Sequence, residues 1–298
     1  MTSTAGVVLL DHSMDADHHR SVLTFCGAPD AIVEAAFHAV RIATELIDLR
    51  THAGVHPRIG ATDVVPFIPI RGTTIEDCVQ LAKRLGERVG RELRIPVFLY
   101  ERAAGHADHV PLEAIRRGGL HGLAFRMKSD PHWIPDFGPP RLHESAGAIA
   151  IGARPPLIAY NVNLCSTEVD QARSIARAVR HSSGGLPSVK AIGVELSSRG
   201  MVQVAMNLTD YLVTPILTAF QRVKDEATKR RIEVAGSELV GLVPQSALSQ
   251  AAAASLQLDQ FDPSQVLETR IAEAMRSKHE PAHPLSHFLA AVADAKPT

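Results

Sequence analysis

The segment LIAYNVNL at residues 157–164 begins the half of the chain with the clearest secondary-structure pattern. Its apolar run, with β-branched and aromatic side chains, is typical of a strand. After this segment, the pattern predicts a helix over 167–181, two strands of a hairpin at 189–196 and 201–207, a helix from Pro215 to about Arg231, and a strand from Ile232. This order, β-α-β-β-α-β, is that of the ferredoxin-like split motif.

The first half is predicted to be the same kind of layer without its first strand and helix. Its predicted elements are strands 7–11 and 21–26, a helix over 29–47, strand 64–70, a helix over 73–89, and strands 95–100 and 147–151. Residues 102–145 are predicted to be irregular, with one short helix near 111–117. We therefore predict an α/β (α+β) protein with mixed sheets covered by helices and two subdomains, 1–155 and 156–298. The second subdomain is predicted to end in helices 245–256 and 262–276.

Composition excludes several classes of partner. A formal net charge of −1 over 298 residues gives no electrostatic basis for binding nucleic acid. No apolar run approaches the roughly 20 residues of a membrane helix. The three cysteines, Cys26, Cys78 and Cys165, are widely spaced and odd in number, which disfavours a disulfide framework. We expect a cytoplasmic protein that binds neither nucleic acid nor membrane.

A polar loop, His52–Asp63 (HAGVHPRIGATD), stands directly before the predicted strand 64–70. Loops held by a rigid scaffold often carry function. Two histidines, an arginine and an aspartate in this loop suit proton transfer on a charged substrate. A histidine that caps a turn before Pro57 is the alternative interpretation of His56 at this point.

Several motifs in order extend this interpretation. They lie at 17–22, 52–69, 96–101, 115–118, 135–139, 147–154, 158–164, 203–208 and 237–244. Together, over nearly 250 residues, they resemble the glutamate formimidoyltransferase (formiminotransferase) family, whose domain also occurs fused to cyclodeaminase. The resemblance implies two α/β subdomains with a ligand groove between them, usually in a homodimer.

The resemblance also implies a reaction. The family transfers the formimino group of N-formimidoyl-L-glutamate to N5 of tetrahydrofolate, the co-substrate, and releases L-glutamate. The attacking amine must lose a proton and the leaving nitrogen must gain one, and a single histidine with a pKa near ~6.5 can do both. By its position in the motif, His56 corresponds to the family's catalytic histidine, and His52 is interpreted as structural.

The resemblance and the charge of the substrates give further candidates. Asp63 could stabilise the cationic formimino carbon and orient His56, or it could form an Asx-type turn. Both substrates carry carboxylates, for which arginine is the natural bidentate partner. The candidates in or beside the matching motifs are Arg58, Arg20, Arg71 and Arg154.

One stretch matches the family's folate-binding segment. Its prolines and glycines would let the backbone pack against a flat pterin. The predicted folate-binding residues are Gly138, Pro139, Pro140, Arg141, Leu142, His143, Glu144, Ser145, Ala146 and Gly147.

A metal site is the alternative for another cluster. His12, Asp15, Asp17, His18 and His19 offer ligand types that suit zinc or manganese. They match no recognised metal motif, and the family reaction needs no metal, so no metal is predicted.

The match departs from the family at the N-terminus. The family's first strand and its Asn-Phe-Ser-Glu-Gly loop have no counterpart, and residues 7–11 correspond to its second strand. We expect either a start codon further upstream or a variant with a reduced site. The alternatives to formimino transfer are therefore a non-catalytic folate-binding homologue and transfer of a formyl group from N-formylglutamate.

Overall fold

The computed structural model describes residues 4–15, 19–52, 58–196, 199–249, 253–259 and 261–276. The chain divides into two compact units, one containing the chain up to Arg154 and one over Pro155–Glu273. Both contain helices packed on β-sheets, which confirms the predicted α/β class. No helix within these ranges has both the length and the apolar character needed to cross a lipid bilayer. The ligand groove stays a prediction.

The strands of the first unit form two sheets. An antiparallel hairpin joins β1 (Val7–Asp15) and β2 (Arg20–Gly27). A parallel sheet contains β3 (Val64–Phe67), β4 (Val97–Glu101) and β5 (Ile149–Ala153) in the order β3-β5-β4. The sequence predicts one layer here, and the structure divides it because no strand in the described ranges pairs with both β2 and β3.

Helices cover both faces of the parallel sheet. On one face, α1 (Pro29–Leu46) and α2 (Ile75–Arg88) share a core with the sheet. On the other face, α3 (Leu112–Arg116) and α4 (Gly119–Ser129) share a second core with it. All five residues of β5 are buried, as expected of a parallel strand covered on both sides.

Helix α4 corrects the prediction of a single short helix within 102–145. Glycines at 118, 119 and 122 indicate an irregular segment, yet the helix forms. Leu123 and Met127, four residues apart, are buried in the core. The Arg126 guanidinium lies 4.2 Å from the centre of the Trp133 ring. Tertiary packing therefore outweighs the weak local propensity of the glycines.

The second unit has the predicted ferredoxin-like order. Its strands are β6 (Ile158–Leu164), β7 (Val189–Leu196), β8 (Met201–Leu208) and β9 (Val234–Val240), and the antiparallel sheet runs β7-β8-β6-β9. The hairpin register pairs Leu196 with Met201. Helices α5 (Val169–Val179) and α6 (Ile216–Lys229) cover the sheet and complete its core.

The C-terminal helices are shorter than predicted. The first consists of α7 (Gln245–Ser249) and a separate 3₁₀ turn at Ala253–Leu256, and residues 250–252 lie outside the described ranges. The second is α8 (Leu267–Arg276), preceded by a 3₁₀ turn at Pro263–Gln265. Asp262 caps that turn by accepting the Ser264 amide at 2.8 Å, and the extended backbone of Val266 separates the turn from α8.

A stability prediction arises where α5 crosses β7 at Gly193. A β-carbon on Gly193 would lie 2.5 Å from the carbonyl carbon of Ala172, inside the backbone of α5. We expect Gly193→Ala to lower the free energy of unfolding by about 1–3 kcal/mol, because the helix must move away from the sheet. Urea denaturation measures this. The adjacent Ile192 is 59% exposed, and Ile192→Ala is the control, which should change the free energy by less than about 1 kcal/mol. Equal effects of the two variants would contradict the prediction.

Candidate active site

A hydrogen bond joins the two described flanks of the proposed catalytic loop, His52 and Arg58, and we call this contact the closed neck. His56 lies within residues 53–57, outside the described ranges, but both flanks are described. The Arg58 guanidinium donates to the backbone oxygen of His52 at 2.7 Å. This bond joins the two ends of the segment that contains His56 and limits how far they can separate.

A second histidine packs on this neck. The rings of His52 and His19 are stacked, with centroids 4.2 Å apart and an interplanar angle of 26°. Their Nδ1 atoms are 3.2 Å apart, so at least one of the two must be unprotonated there for a hydrogen bond to form. His19 immediately precedes Arg20, the first residue of β2, so the hairpin brings Arg20 to the loop region.

Asp63 holds the other end of the loop. Its carboxylate accepts the backbone N–H of Ile59 at 2.7 Å and forms an ion pair with Arg116. The side chains of Asp63 and Arg116 are only 18% and 20% exposed, so this pair is partly protected from solvent screening. An Asx turn would use the amide two residues after Asp63, whereas this bond runs to the amide four residues before it, so the bond does not correspond to the Asx-type turn weighed for Asp63. Its role toward the formimino carbon stays a prediction.

The predicted folate-binding stretch contacts the proposed catalytic loop. The Ala148 amide donates to the Ile59 oxygen at 2.8 Å, and the Ala61 amide donates to the Ala146 oxygen at 3.0 Å. Gly60 and Gly147 form an antiparallel bridge between these bonds. Two segments that are more than 80 residues apart in the sequence are therefore adjacent in the fold.

The two ends of the predicted folate-binding stretch have different neighbours. Near its C-terminal end, the Ser145 oxygen accepts the Leu49 amide at 2.8 Å, and Glu144 pairs with Arg50 at 2.7 Å. At its N-terminal end, residues 138–140 line an open depression together with Arg91 and Arg94. The depression adds two cations that the sequence did not single out.

Two of the arginines predicted to bind substrate, Arg71 and Arg154, lie away from Arg58. Arg58 and Asp63 precede β3, whereas Arg71 follows it and Arg154 follows β5. Since the strands are parallel, Arg71 and Arg154 belong to the opposite end of the sheet, roughly 13 Å away for four strand residues. Burial raises the pKa of the Tyr100 hydroxyl, and a hydrogen bond with Arg154 opposes that rise.

The environment of His52 gives a pH prediction. Partial burial, then the charges of His19 and Arg58, lower the pKa of His52, and Asp48 opposes them. Because the folded-state pKa lies below the unfolded value of ~6.5, the unfolded chain binds the proton first as pH falls. The closed neck should therefore be stable above pH ~6.5 and lose stability as pH falls toward the lower folded value.

NMR titration of the histidine ring protons measures this directly. We expect the midpoint of His52 below 6.5 in the native chain and a higher midpoint in Arg58→Gln, which removes a nearby cation. A midpoint of His52 at or above 6.5 in the native chain would show that this description of the neck is wrong.

The second unit contains a polar network that sequence reasoning missed. Gln203 Nε2 donates to Asn163 Oδ1 at 2.8 Å and to Glu238 Oε1 at 2.7 Å. Asn161 Nδ2 donates to the same Glu238 oxygen at 3.1 Å. The alternation in LIAYNVNL could have revealed it, because Tyr160 and the other even-numbered residues of β6 are buried in the core.

Arg116 was also missed, because only the fold brings it to Asp63. The N-terminal cluster that was weighed as an alternative metal site is only partly described. Asp17 and His18, and the side chain of Asp15, lie outside the described part, and His12 is exposed on β1.

Comparison with known proteins identifies the family. The family model described as "Formiminotransferase domain, N-terminal subdomain" matches residues 1–154, and that described as "Formiminotransferase domain" matches residues 159–275. The chain is 43% identical to glutamate formimidoyltransferase of Streptococcus pyogenes serotype M1 over 90% of both chains. It is 44% identical to glutamate formimidoyltransferase of Thermoplasma acidophilum, over 92% of this chain and 90% of the relative.

A longer relative shows the same similarity. The chain is 44% identical to formimidoyltransferase-cyclodeaminase of Mus musculus, over 85% of this chain and 48% of the mouse protein. The two family models together cover most of the chain, and the bacterial and archaeal relatives match along most of their own length. This chain therefore belongs to the formiminotransferase family.

Proposed function

We propose that this chain is a folate-dependent one-carbon transferase, a glutamate formimidoyltransferase. It moves the formimino group from N-formimidoyl-L-glutamate to N5 of tetrahydrofolate and releases L-glutamate, a step of histidine degradation. The observation that carries the proposal is the backbone contact of residues 59–61 with residues 146–148, which connects the loop that contains His56 to the stretch 138–147. The relatives named glutamate formimidoyltransferase support the same activity.

His56 is the proton carrier of this proposal. N5 of tetrahydrofolate supplies the nucleophile for the formimino carbon. His56 accepts the proton that N5 loses and donates it to the glutamate nitrogen as the old C–N bond breaks, so the imidazole ends in its starting state. The closed neck between His52 and Arg58 supports this role, since a short loop with tied ends positions a side chain better than an open one.

The arginines divide between the carboxylates of the two substrates. Arg58 and Arg20, near the loop, bind the carboxylates of the formimidoylglutamate donor. Arg71 and Arg154, at the opposite end of the parallel sheet, bind the glutamate portion of the folate. A folate is long enough to span this separation, whereas the donor is not. Asp63 orients the loop through Ile59 and lowers the energy of positive charge near His56.

Residues Gly138–Gly147 form the pterin contact of the proposal. The donors and acceptors of this stretch suit a flat polar ring, and Arg91 and Arg94 line the same depression as residues 138–140. Tetrahydrofolate therefore fits the residues present as a co-substrate.

A direct assay tests the proposal. Purified chain is mixed with formimidoylglutamate and tetrahydrofolate, and the formation of 5-formimidoyltetrahydrofolate and glutamate is followed together. We expect one glutamate per folate product. Tight tetrahydrofolate binding without any transfer would favour the non-catalytic homologue instead. Faster reaction with N-formylglutamate than with formimidoylglutamate would favour the formyl transferase.

Two properties of the proposal concern the whole molecule. The three cysteines are free, which suits a reducing cytoplasm. The homodimer stays a prediction of the family resemblance, and sedimentation of the purified chain measures it. A monomer that catalyses transfer would show that the dimer is unnecessary.

A further inference from the structure

A cluster of possible metal ligands lies outside the proposed active site. His106, Asp108 and His132 each present one ligand atom, and these atoms lie within 4.8 Å of one another. We propose that this cluster, which we name the HDH site, binds one divalent transition-metal ion of the zinc class. Its function is to tie the turn after β4 to the end of α4.

The distances suit zinc. Asp108 Oδ2 lies 3.4 Å from His106 Nδ1 and 3.7 Å from His132 Nδ1. Bonds of about 2.0–2.1 Å in tetrahedral geometry separate neighbouring ligand atoms by roughly 3.3 Å. Both observed distances therefore reach the coordinated geometry with movements of a few tenths of an ångström.

Two short turns present the ligands. His106 and Asp108 belong to the 3₁₀ turn at 107–109 and its cap, and His132 belongs to the 3₁₀ turn at 131–133. Asp130 fixes the second turn by accepting the His132 amide at 3.0 Å. The Asp108 amide donates to His106 Nδ1 at 3.3 Å, a long bond that a cation readily replaces.

The core beneath the cluster is rigid. The rings of Phe98, His109 and Trp133 pack together, with His109 lying 5.4 Å from Phe98 and 5.0 Å from Trp133 between centroids. Trp133 directly follows His132, so this packing fixes the position of a ligand residue. Rigid support of this kind preserves a metal site's geometry.

A buried histidine beside the cluster, His109, lacks hydrogen-bond partners among the described residues. His109 is 2% exposed, and neither of its ring nitrogens has a hydrogen-bond partner within the described residues. The centre of its ring lies 5.7 Å from the centre of the His106 ring. Its Nδ1 is 3.8 Å from the Asp136 carboxylate, too far for a hydrogen bond. Buried polar groups normally have partners, and water bound to an ion in the site would supply one.

The ligand types select the class of ion. Two imidazoles favour zinc and its first-row neighbours, whereas magnesium and calcium prefer sets made entirely of oxygen. The His132 side chain is 61% exposed and that of Asp108 is 54% exposed, so the ion is reachable from solvent and keeps positions for water. We therefore expect a labile site rather than a permanently filled one.

Calorimetric titration of chelator-treated, tag-free chain with Zn²⁺ tests the proposal. We expect one site per chain and a rise in melting temperature with Zn²⁺ but not with Mg²⁺. His132→Gln should weaken that site at least tenfold and abolish the rise. His121→Gln removes another exposed histidine of the same unit and should leave both readouts unchanged.

Circular dichroism first establishes that both variants fold, which the exposure of both side chains favours. Asp108→Asn gives a second test, because it removes the anionic ligand and keeps the shape of the side chain. Absence of zinc binding by the native chain overturns the proposal. Unchanged affinity and stoichiometry in both His132→Gln and Asp108→Asn also overturn it, since the zinc would then bind elsewhere.

Discussion

Replacement of His56 by alanine is expected to lower the rate of formimino transfer by about 10²- to 10⁴-fold. The reaction moves one proton off N5 and one proton onto the leaving glutamate nitrogen. Without the imidazole, water must accept the first proton and donate the second, and water is a weaker base and a weaker acid at neutral pH. The measurement is kcat for transfer, followed by the appearance of glutamate.

Two comparisons separate proton transfer from disruption of the loop. Exogenous imidazole should restore part of the activity of His56→Ala, because it can enter the space left by the side chain. His52→Gln should lose less activity, since His52 packs on His19 and donates no proton to substrate in this account. If His56→Ala retained more than a tenth of the native kcat, His56 would not be the proton carrier.

The second large effect concerns Gly147, which joins the proposed folate-binding stretch to the proposed catalytic loop. Gly147 has φ +70°, and a β-carbon there would lie 2.8 Å from Leu120 Cδ2 as well as against the oxygen of Ile59. We expect Gly147→Ala to lower the free energy of unfolding by roughly 2–5 kcal/mol, combining the left-handed backbone cost with overpacking. Folate affinity should fall as well, because residues 146–148 and 59–61 must separate.

Gly184 provides a matched control for the backbone term. It has φ +85°, and its β-carbon would meet nothing within 4 Å. Gly184→Ala should therefore lose only about 1–2 kcal/mol and keep its affinity for folate. Denaturant unfolding and folate titration of the two variants measure the difference. Equal losses of stability in both would show that the contact with Ile59 contributes little.

The fold was predictable where local pattern and packing agree. Strand β6 shows period-two alternation, and the hairpin β7–β8 is local in the sequence, so both followed from the residues. Helix α4 was not predictable, because its glycines indicate a loop and only the burial of Leu123 and Met127 selects a helix. The division of the first half into two sheets depends on strand pairing at long range, which periodicity does not report.

The candidate site was predictable in content but not in arrangement. The motifs named the loop 52–63 and the stretch 138–147 separately, and only the fold shows that they are joined at Gly60 and Gly147. The Asp63–Arg116 pair joins residues 53 positions apart, and no spacing rule identifies such a partner. The same limit applies to Arg154. The motifs grouped it with Arg58, and the parallel sheet separates the two residues.

A crystal structure of the chain with a tetrahydrofolate analogue and formimidoylglutamate tests the role of His56. We expect N5 to lie within about 2.6–3.2 Å of the His56 imidazole, or one water away, with the pterin against residues 138–147. A pterin bound only at the opposite end of the parallel sheet, near Arg71 and Arg154 and away from His56, would contradict it.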